Sequence, residues 1–253
     1  MSRSTLYDSW LHCVAIRKEP KHFSNFDYYY NLVEFHAVFN DDDHAIITVY
    51  KNNNTIFAGK KIVLITFRGT KDASAWRSNF DVYPLKDDKP LLKDGKWGKG
   101  TIHDGFYTSW SRLKDEIVEC VKPYLNNDNY NIICTGHSRG GALAILCGRH
   151  LIKNENSKDI MVYAFGTPKQ GNAEYVIQMQ KYIENGLNII RIINGYDIVP
   201  ELPPDELGFR HVGMEIKLSQ PAWHRWFKFM RIFDHRYESY TKAIKKHFSK
   251  VSD

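Results

Sequence analysis

Residues 135–144 read TGHSRGGALA, which sets Ser138 midway between Gly136 and Gly140. A serine hydroxyl is a weak nucleophile alone; it needs a base, a group that orients the base, and donors for a developing oxyanion. The surrounding pattern is that of a strand running straight into a helix through G-x-S-x-G. Such a turn forces the serine into a strained backbone conformation and presents its hydroxyl. Glycines two residues to either side leave room for the crossing backbones. Gly141, Ala142 and Ala144 let the helix lie close to the strand, and its free N–H groups suit a developing negative charge. The chemistry implied is acyl transfer through a covalent serine intermediate.

In this arrangement the acid and then the histidine follow the serine along the chain. The segment LNIIRIINGYDIVPELPP closes a strand and then offers Asp197. Pro200, Pro203 and Pro204 stop that stretch from continuing as helix or inner strand, so Asp197 falls in a loop on the side where Ser138 emerges. His211, His224, His235 and His247 lie beyond it. His211 sits in the alternating segment FRHVGMEIKL, a strand near a sheet edge, where a structural hydrogen bond is expected. His247 lies in a charged terminal helix and is expected to be solvated. His235 opens DHRYESYTKAI as a helix start with Asp234 as its N-cap, which would hold an imidazole rigidly. Asp234 is adjacent to His235 in sequence, a poor geometry for orienting it, so Asp197 is the better acid.

The elements that must position these residues alternate. Ala45–Tyr50 and Lys61–Phe67 read as neighbouring strands. Tyr130–Thr135 is a short, nearly continuous apolar run, the pattern of a buried parallel strand, and 160–166 and 187–194 repeat it. Between them, 107–125 places Trp110, Leu113, Ile117, Cys120 and Val121 on one helical face. Helices are also expected over 138–152 and 171–184. This order predicts an α/β fold, a mostly parallel central sheet with helices on both faces, in one domain spanning 1–253.

The motifs LITFRGT, HDGFY, GHSRGGALA, VYAFGTPKQGN, NGYDIVPELPP, FRHVGMEI and DHRYESY, in this order and spacing, resemble the class 3 lipases of the α/β-hydrolase fold. The resemblance runs from about Lys61 to about Tyr240. It implies Ser138 as nucleophile, Asp197 as acid and His235 as base. It implies an oxyanion hole formed by the Arg139 backbone N–H and by Thr70 through its N–H and hydroxyl. It also implies a lid after the oxyanion strand, in KDASAWRSNFDVY, with Trp76 and Phe80 as its bulky apolar residues. Arg139 departs from the family, where this position is usually apolar and often leucine. The substrate implied is a lipid ester, an acylglycerol or a phospholipid. A non-catalytic lipid-binding or scaffold protein on the same fold is the alternative. No cofactor and no metal are implied.

The formal net charge is +6, and the stretch from Lys217 to Asp253, with nine Lys/Arg and three acids, carries all of it. No zinc-finger or RNP signature accompanies this charge, so no nucleic acid is expected. Within it, AWHRWFKFMRIFDH places Trp223, Trp226, Phe227, Met230 and Phe233 at helical spacing with Arg225, Lys228 and Arg231 mostly to the side. A core-packed helix and an amphipathic helix lying in an anionic membrane interface over 222–233 fit the pattern equally, and Phe229 and Ile232 widen the apolar face toward the second. The four cysteines (Cys13, Cys120, Cys134, Cys147) show no C-x-x-C spacing and read as buried thiols. The N-terminus has no secretory h-region, and no apolar run reaches the length of a membrane span. An intracellular protein, peripheral to a membrane where the basic aromatic segment meets it, is expected. Oligomeric state is not encoded in any of these features.

Overall fold

The computed structural model describes residues 3–18, 32–51, 60–70 and 102–249. Trp76 and Phe80, the expected lid residues, lie outside the described residues. Seven strands form the main sheet in the order β1 (Leu32–Asn40), β2 (Asp43–Tyr50), β3 (Lys61–Phe67), β4 (Tyr130–His137), β5 (Ile160–Phe165), β7 (Leu187–Asn194), β9 (Met214–Leu218). The first three are antiparallel, and β3, β4, β5, β7 and β9 run parallel. Two-residue strands β6 (Gly171–Asn172) and β8 (Phe209–Arg210) pair separately.

The parallel strands read as apolar runs because both of their faces are covered. On β4, Ile132 and Cys134 join a core beneath α2 (Asp104–Val121), α3 (Arg139–Asn154) and α4 (Ala173–Glu184). Ile133 joins a second core built from Leu6, Trp10 and Cys13 of α1 (Arg3–Lys18) and from Tyr240, Ala243 and Ile244 of α6 (Tyr237–Ser249). The expected stripe on α2 is present: Trp110, Leu113, Ile117 and Val121 are buried. The helix starts three residues earlier than its expected range and ends at Val121. The following Pro123, which lacks an N–H, sits in a 3₁₀ turn over Lys122–Tyr124.

Two local expectations need correction. Asp234 does not cap a helix that starts at His235; it is the last residue of the short helix α5 (Lys228–Asp234), His235 is that helix's C-cap, and α6 begins at Tyr237. The aromatic segment is also not one helix. Residues Ala222–Trp226 form a 3₁₀ turn, Phe227 is extended (φ −120°, ψ 115°), and α5 follows. The break discards the single stripe, and Trp226 and Phe229 are 71% and 64% exposed rather than packed in the core.

Candidate active site

Ser138 stands between β4 and α3 with φ 58° and ψ −128°, a left-handed backbone that a residue with a side chain rarely adopts. The two flanking glycines make the turn possible by close approach. A Cβ on Gly136 would lie 2.2 Å from the Gly140 carbonyl carbon, and one on Gly140 would lie 2.4 Å from the Phe67 carbonyl oxygen. The Ser138 N–H is held by the Phe165 carbonyl at the end of β5, 2.9 Å away. Ser138 therefore sits at the carboxyl ends of the parallel strands, against the first turn of a 16-residue helix, where backbone N–H groups favour negative charge.

The structure brings the expected acid and base together. His235 Nδ1 lies 2.8 Å from Asp197 Oδ2, and both side chains are buried. That contact assigns the proton to Nδ1, since an ionised carboxylate only accepts. The same Oδ2 accepts a hydrogen bond from the Tyr240 hydroxyl at 2.7 Å, and Oδ1 accepts the Val199 N–H at 2.9 Å. Burial and the Asp197 carboxylate hold the Tyr240 hydroxyl well above its ordinary value, so it stays a donor. His235 Nε2, the nitrogen facing away from Asp197, is buried without a hydrogen-bond partner among the described residues.

His137 joins the two halves. Its ring stacks on His235 with centroids 4.5 Å apart and planes inclined by 30°, and it also meets Trp10, Tyr237 and Tyr240. Burial, then the nearby His235, lower its basicity far below the usual histidine range, so His137 is a neutral wall. Gly166, just past β5, completes the convergence: a Cβ there would lie 2.8 Å from Asp197 Oδ2 and 3.2 Å from His235 Cε1.

Gly69 places the expected oxyanion segment beside the serine, since a Cβ on it would lie 3.6 Å from Ser138 Cβ. The adjacent Thr70 hydroxyl is buried without a hydrogen-bond partner among the described residues. A buried hydroxyl left unmatched is costly, and an oxyanion would match it. The Arg139 side chain turns away from this space. Its guanidinium binds Asp43 Oδ1 at 2.5 Å and the Ser109 hydroxyl at 2.9 Å, and Arg112 reaches the other Asp43 oxygen at 3.4 Å. The charge that departs from the family pattern thus ties α3 to α2 and to the start of β2.

His211 makes the expected structural bond, Nε2 to the Pro200 carbonyl at 2.6 Å, and burial pushes it down to about 3. His247 is exposed. Three cysteines are buried, Cys120 is half-buried, and all four are free thiols. Among the described residues no group of three or more His, Cys, Asp or Glu could hold a metal ion, and no helix is long and apolar enough to cross a membrane. Sequence reasoning missed α1, whose Trp10 roofs His137, although Leu6, Trp10 and Cys13 fall at helical spacing. It also missed Tyr240, five residues after His235, and His224, whose Nδ1 lies 2.8 Å from Asp234 Oδ1.

A sharp serine turn at the carboxyl ends of a mostly parallel sheet, beside a buried Asp–His pair from two later loops, defines the α/β-hydrolase fold. Residues 64–207 match the family Lipase (class 3), and the chain belongs to that family. Similar proteins include a lipase of Rhizomucor miehei, 31% identical over 176 residues (66% of this chain, 45% of the relative). A secreted mono- and diacylglycerol lipase of Malassezia restricta is 32% identical over 174 residues (68% of this chain, 57% of the relative). The chain thus spans about half the length of these curated relatives. Among solved structures, lipase II from Rhizopus niveus superposes with a TM-score of 0.68 at 19% identity, covering 93% of this chain and 94% of that one.

Proposed function

We propose that the chain, as one domain over 1–253, hydrolyses carboxylic esters of lipids, acylglycerols or phospholipids, through Ser138, His235 and Asp197. The observation that carries this reading is the His235–Asp197 pair, saturated on its carboxylate side and open at Nε2, beside a serine held at φ 58°. Ser138 Oγ attacks the ester carbonyl while His235 Nε2 takes the hydroxyl proton. The oxyanion is met by the Arg139 N–H and by the Thr70 N–H and hydroxyl. His235 then gives its proton to the leaving alcohol, and the acyl group stays on Ser138. Water, deprotonated by the same imidazole, attacks the acyl-enzyme and releases the carboxylic acid. Asp197 keeps the imidazole in the Nδ1–H tautomer and stabilises its charged form. Trp76 and Phe80 are assigned to a lid over this site.

The decisive test is covalent labelling by a fluorophosphonate together with turnover of a lipid ester. Ser138→Ala abolishes labelling and lowers kcat by roughly 10⁶-fold, as loss of a triad serine does elsewhere. A parent protein that takes no label but binds lipid would instead be a scaffold on the hydrolase fold.

The segment 222–233 is assigned to peripheral contact with an anionic membrane. Trp223, Trp226, Phe227 and Phe229 are all about half exposed or more, and Arg225 and Lys228 are exposed among them. Apolar rings beside cations match an interface whose lipids are negatively charged. Co-sedimentation with phosphatidylserine-containing vesicles at low and high salt tests it; equal binding to neutral vesicles would remove the electrostatic part. An intracellular setting is supported by the four free thiols, which a reducing compartment preserves.

A further inference from the structure

A second buried histidine–carboxylate pair borders the proposed triad: its Asp234 directly precedes His235 and bonds the N–H of the residue before Asp197. Asp234 is fully buried, and its carboxylate has partners from two separate segments. Oδ1 accepts from His224 Nδ1 at 2.8 Å, and Oδ2 accepts the Tyr196 N–H at 3.1 Å. Tyr196 directly precedes Asp197, and Asp234 directly precedes His235. One carboxylate therefore pins the backbone that carries the acid while belonging to the backbone that carries the base. We propose that His224 and Asp234 form a positioning pair that sets the distance between Asp197 and His235.

The neighbouring bonds reinforce that linkage and do not duplicate it. Asn194 donates its amide to the Asp234 carbonyl at 2.7 Å and to the Ser239 hydroxyl at 2.9 Å, and Gln220 holds the Asn194 carbonyl at 2.8 Å. The Asn194 N–H is accepted by Tyr240, the hydroxyl that donates to Asp197. Arg231 donates to the Tyr196 carbonyl at 3.2 Å. Three of these contacts engage main-chain atoms and three join side chains, but none of them reaches the Asp234 carboxylate. Among the described residues, His224 is the charge-capable side chain that hydrogen-bonds the Asp234 carboxylate. Burial raises the Asp234 carboxyl, and the bonds from His224 and Tyr196 counter that rise. His224 is also the buried residue of a turn whose other members, Trp223, Arg225 and Trp226, are exposed. The aromatic segment is thus rooted on the same carboxylate that spaces the acid and the base.

The role is positional, because among the described residues neither side chain hydrogen-bonds Ser138 or the open Nε2 of His235. A shift on the order of 1 Å in a reacting group costs up to about 10²-fold in rate. The inference rests on the triad reading, so the experiment first counts active sites by fluorophosphonate labelling. It then measures kcat and KM per labelled site on a soluble short-chain p-nitrophenyl ester. His224→Leu, which removes the donor, lowers kcat by about 10- to 100-fold with KM within about twofold. His224→Asn keeps an N–H near the Nδ1 position and recovers most of that loss. His224→Gln carries the same amide one methylene further and recovers less. A parent that takes no label overturns the triad reading itself. Stoichiometric labelling with equal kcat in the Asn and Gln variants overturns the positioning role and leaves the triad intact. That comparison of two amides decides the matter even where His224→Leu does not fold.

Discussion

Ser138 is held by main chain packed on main chain, whereas Asp197 and His235 are held by side-chain hydrogen bonds between loops far apart in sequence. At the serine, β3, β4, β5 and α3 meet so closely that the glycines leave no room for a methyl group. At the proposed acid and base, Tyr240, Asp234 and Asn194 link residues 194–199 to 234–240 through single polar atoms, and His224 holds Asp234. The first region is stiff because it is dense. The second is stiff only while every polar partner is present, since a half-satisfied buried network costs more than an apolar one. Perturbations of packing and of protonation should therefore separate the two.

Acid gives the largest effect. His12 sits on the buried side of α1 and His137 packs beneath that helix against Trp10 on the serine side, and His211 supports Pro200 on the loop side. Burial lowers all three from the ordinary value of 6.5, His12 and His211 to about 3 and His137 far below the usual range. Below pH 6.5 the unfolded chain binds protons that the folded chain does not. Stability is therefore full above pH 6.5 and is lost as the pH falls toward 3. Each histidine contributes about 1.4 kcal/mol per pH unit in that window, or about 6 kcal/mol for the three between pH 6.5 and 5. Urea unfolding across this range reads the slope. His211→Asn removes that residue's share of the slope, about 1.4 kcal/mol per pH unit, and leaves the serine side's share. An unchanged slope would show that the loop side titrates without cost.

Arg139→Leu strikes the serine side next. Among the described residues, it leaves the buried Asp43 with the longer ion pair to Arg112 alone. Removing one member of a buried pair costs about 3–5 kcal/mol, and Asp43→Leu in the same protein recovers most of it, because the desolvated charge is gone. A loss under 1 kcal/mol in the urea midpoint analysis would mean that Asp43 reaches water in the variant.

How much of each region could be read beforehand follows the same division. The serine turn is contiguous: strand, two glycines, serine and helix all lie within one short stretch, and the reason for each glycine is local. Asp197 was legible through the prolines after it and His235 through the family motif. Their support was not legible. Asp234 looked like an N-cap because an aspartate before a helix usually is one. Its actual partner, His224, is fixed by the break at Phe227, which no periodicity reveals. The aromatic spacing of 223–233 predicted one helix, yet the chain turns at that break and exposes the rings that a continuous helix would have aligned. The Arg139 side chain carried no readable role, since Asp43 is 96 residues away in sequence.

The oxyanion side of the comparison is tested by Thr70→Val, which preserves shape and removes the unpaired hydroxyl. Loss of one oxyanion donor lowers kcat by about 10²–10³, or about 2.7–4 kcal/mol, and KM should hold because the bond forms only as charge develops. An unaffected kcat on a soluble ester would leave the oxyanion to backbone N–H groups alone.

Tyr240→Phe gives the smallest of these effects and the sharpest contrast, because this residue belongs to both regions. Its ring packs against Trp10 and His137 on the serine side, and its hydroxyl joins Asn194 N–H to Asp197 Oδ2 on the loop side. Phenylalanine keeps the first set of contacts and deletes the second. A hydrogen bond to a charged group is worth about 1.5–3 kcal/mol, so kcat should fall by about 10- to 100-fold. Unfolding free energy should fall by about 1–3 kcal/mol, since the Asn194 N–H is left buried without an acceptor. If stability falls while kcat holds, the Val199 N–H and His235 suffice to orient Asp197, and the hydroxyl serves only the loop that carries it. If both fall together, the carboxylate's orientation and the loop's integrity are one quantity, as expected where side-chain hydrogen bonds rather than packed main chain fix the geometry.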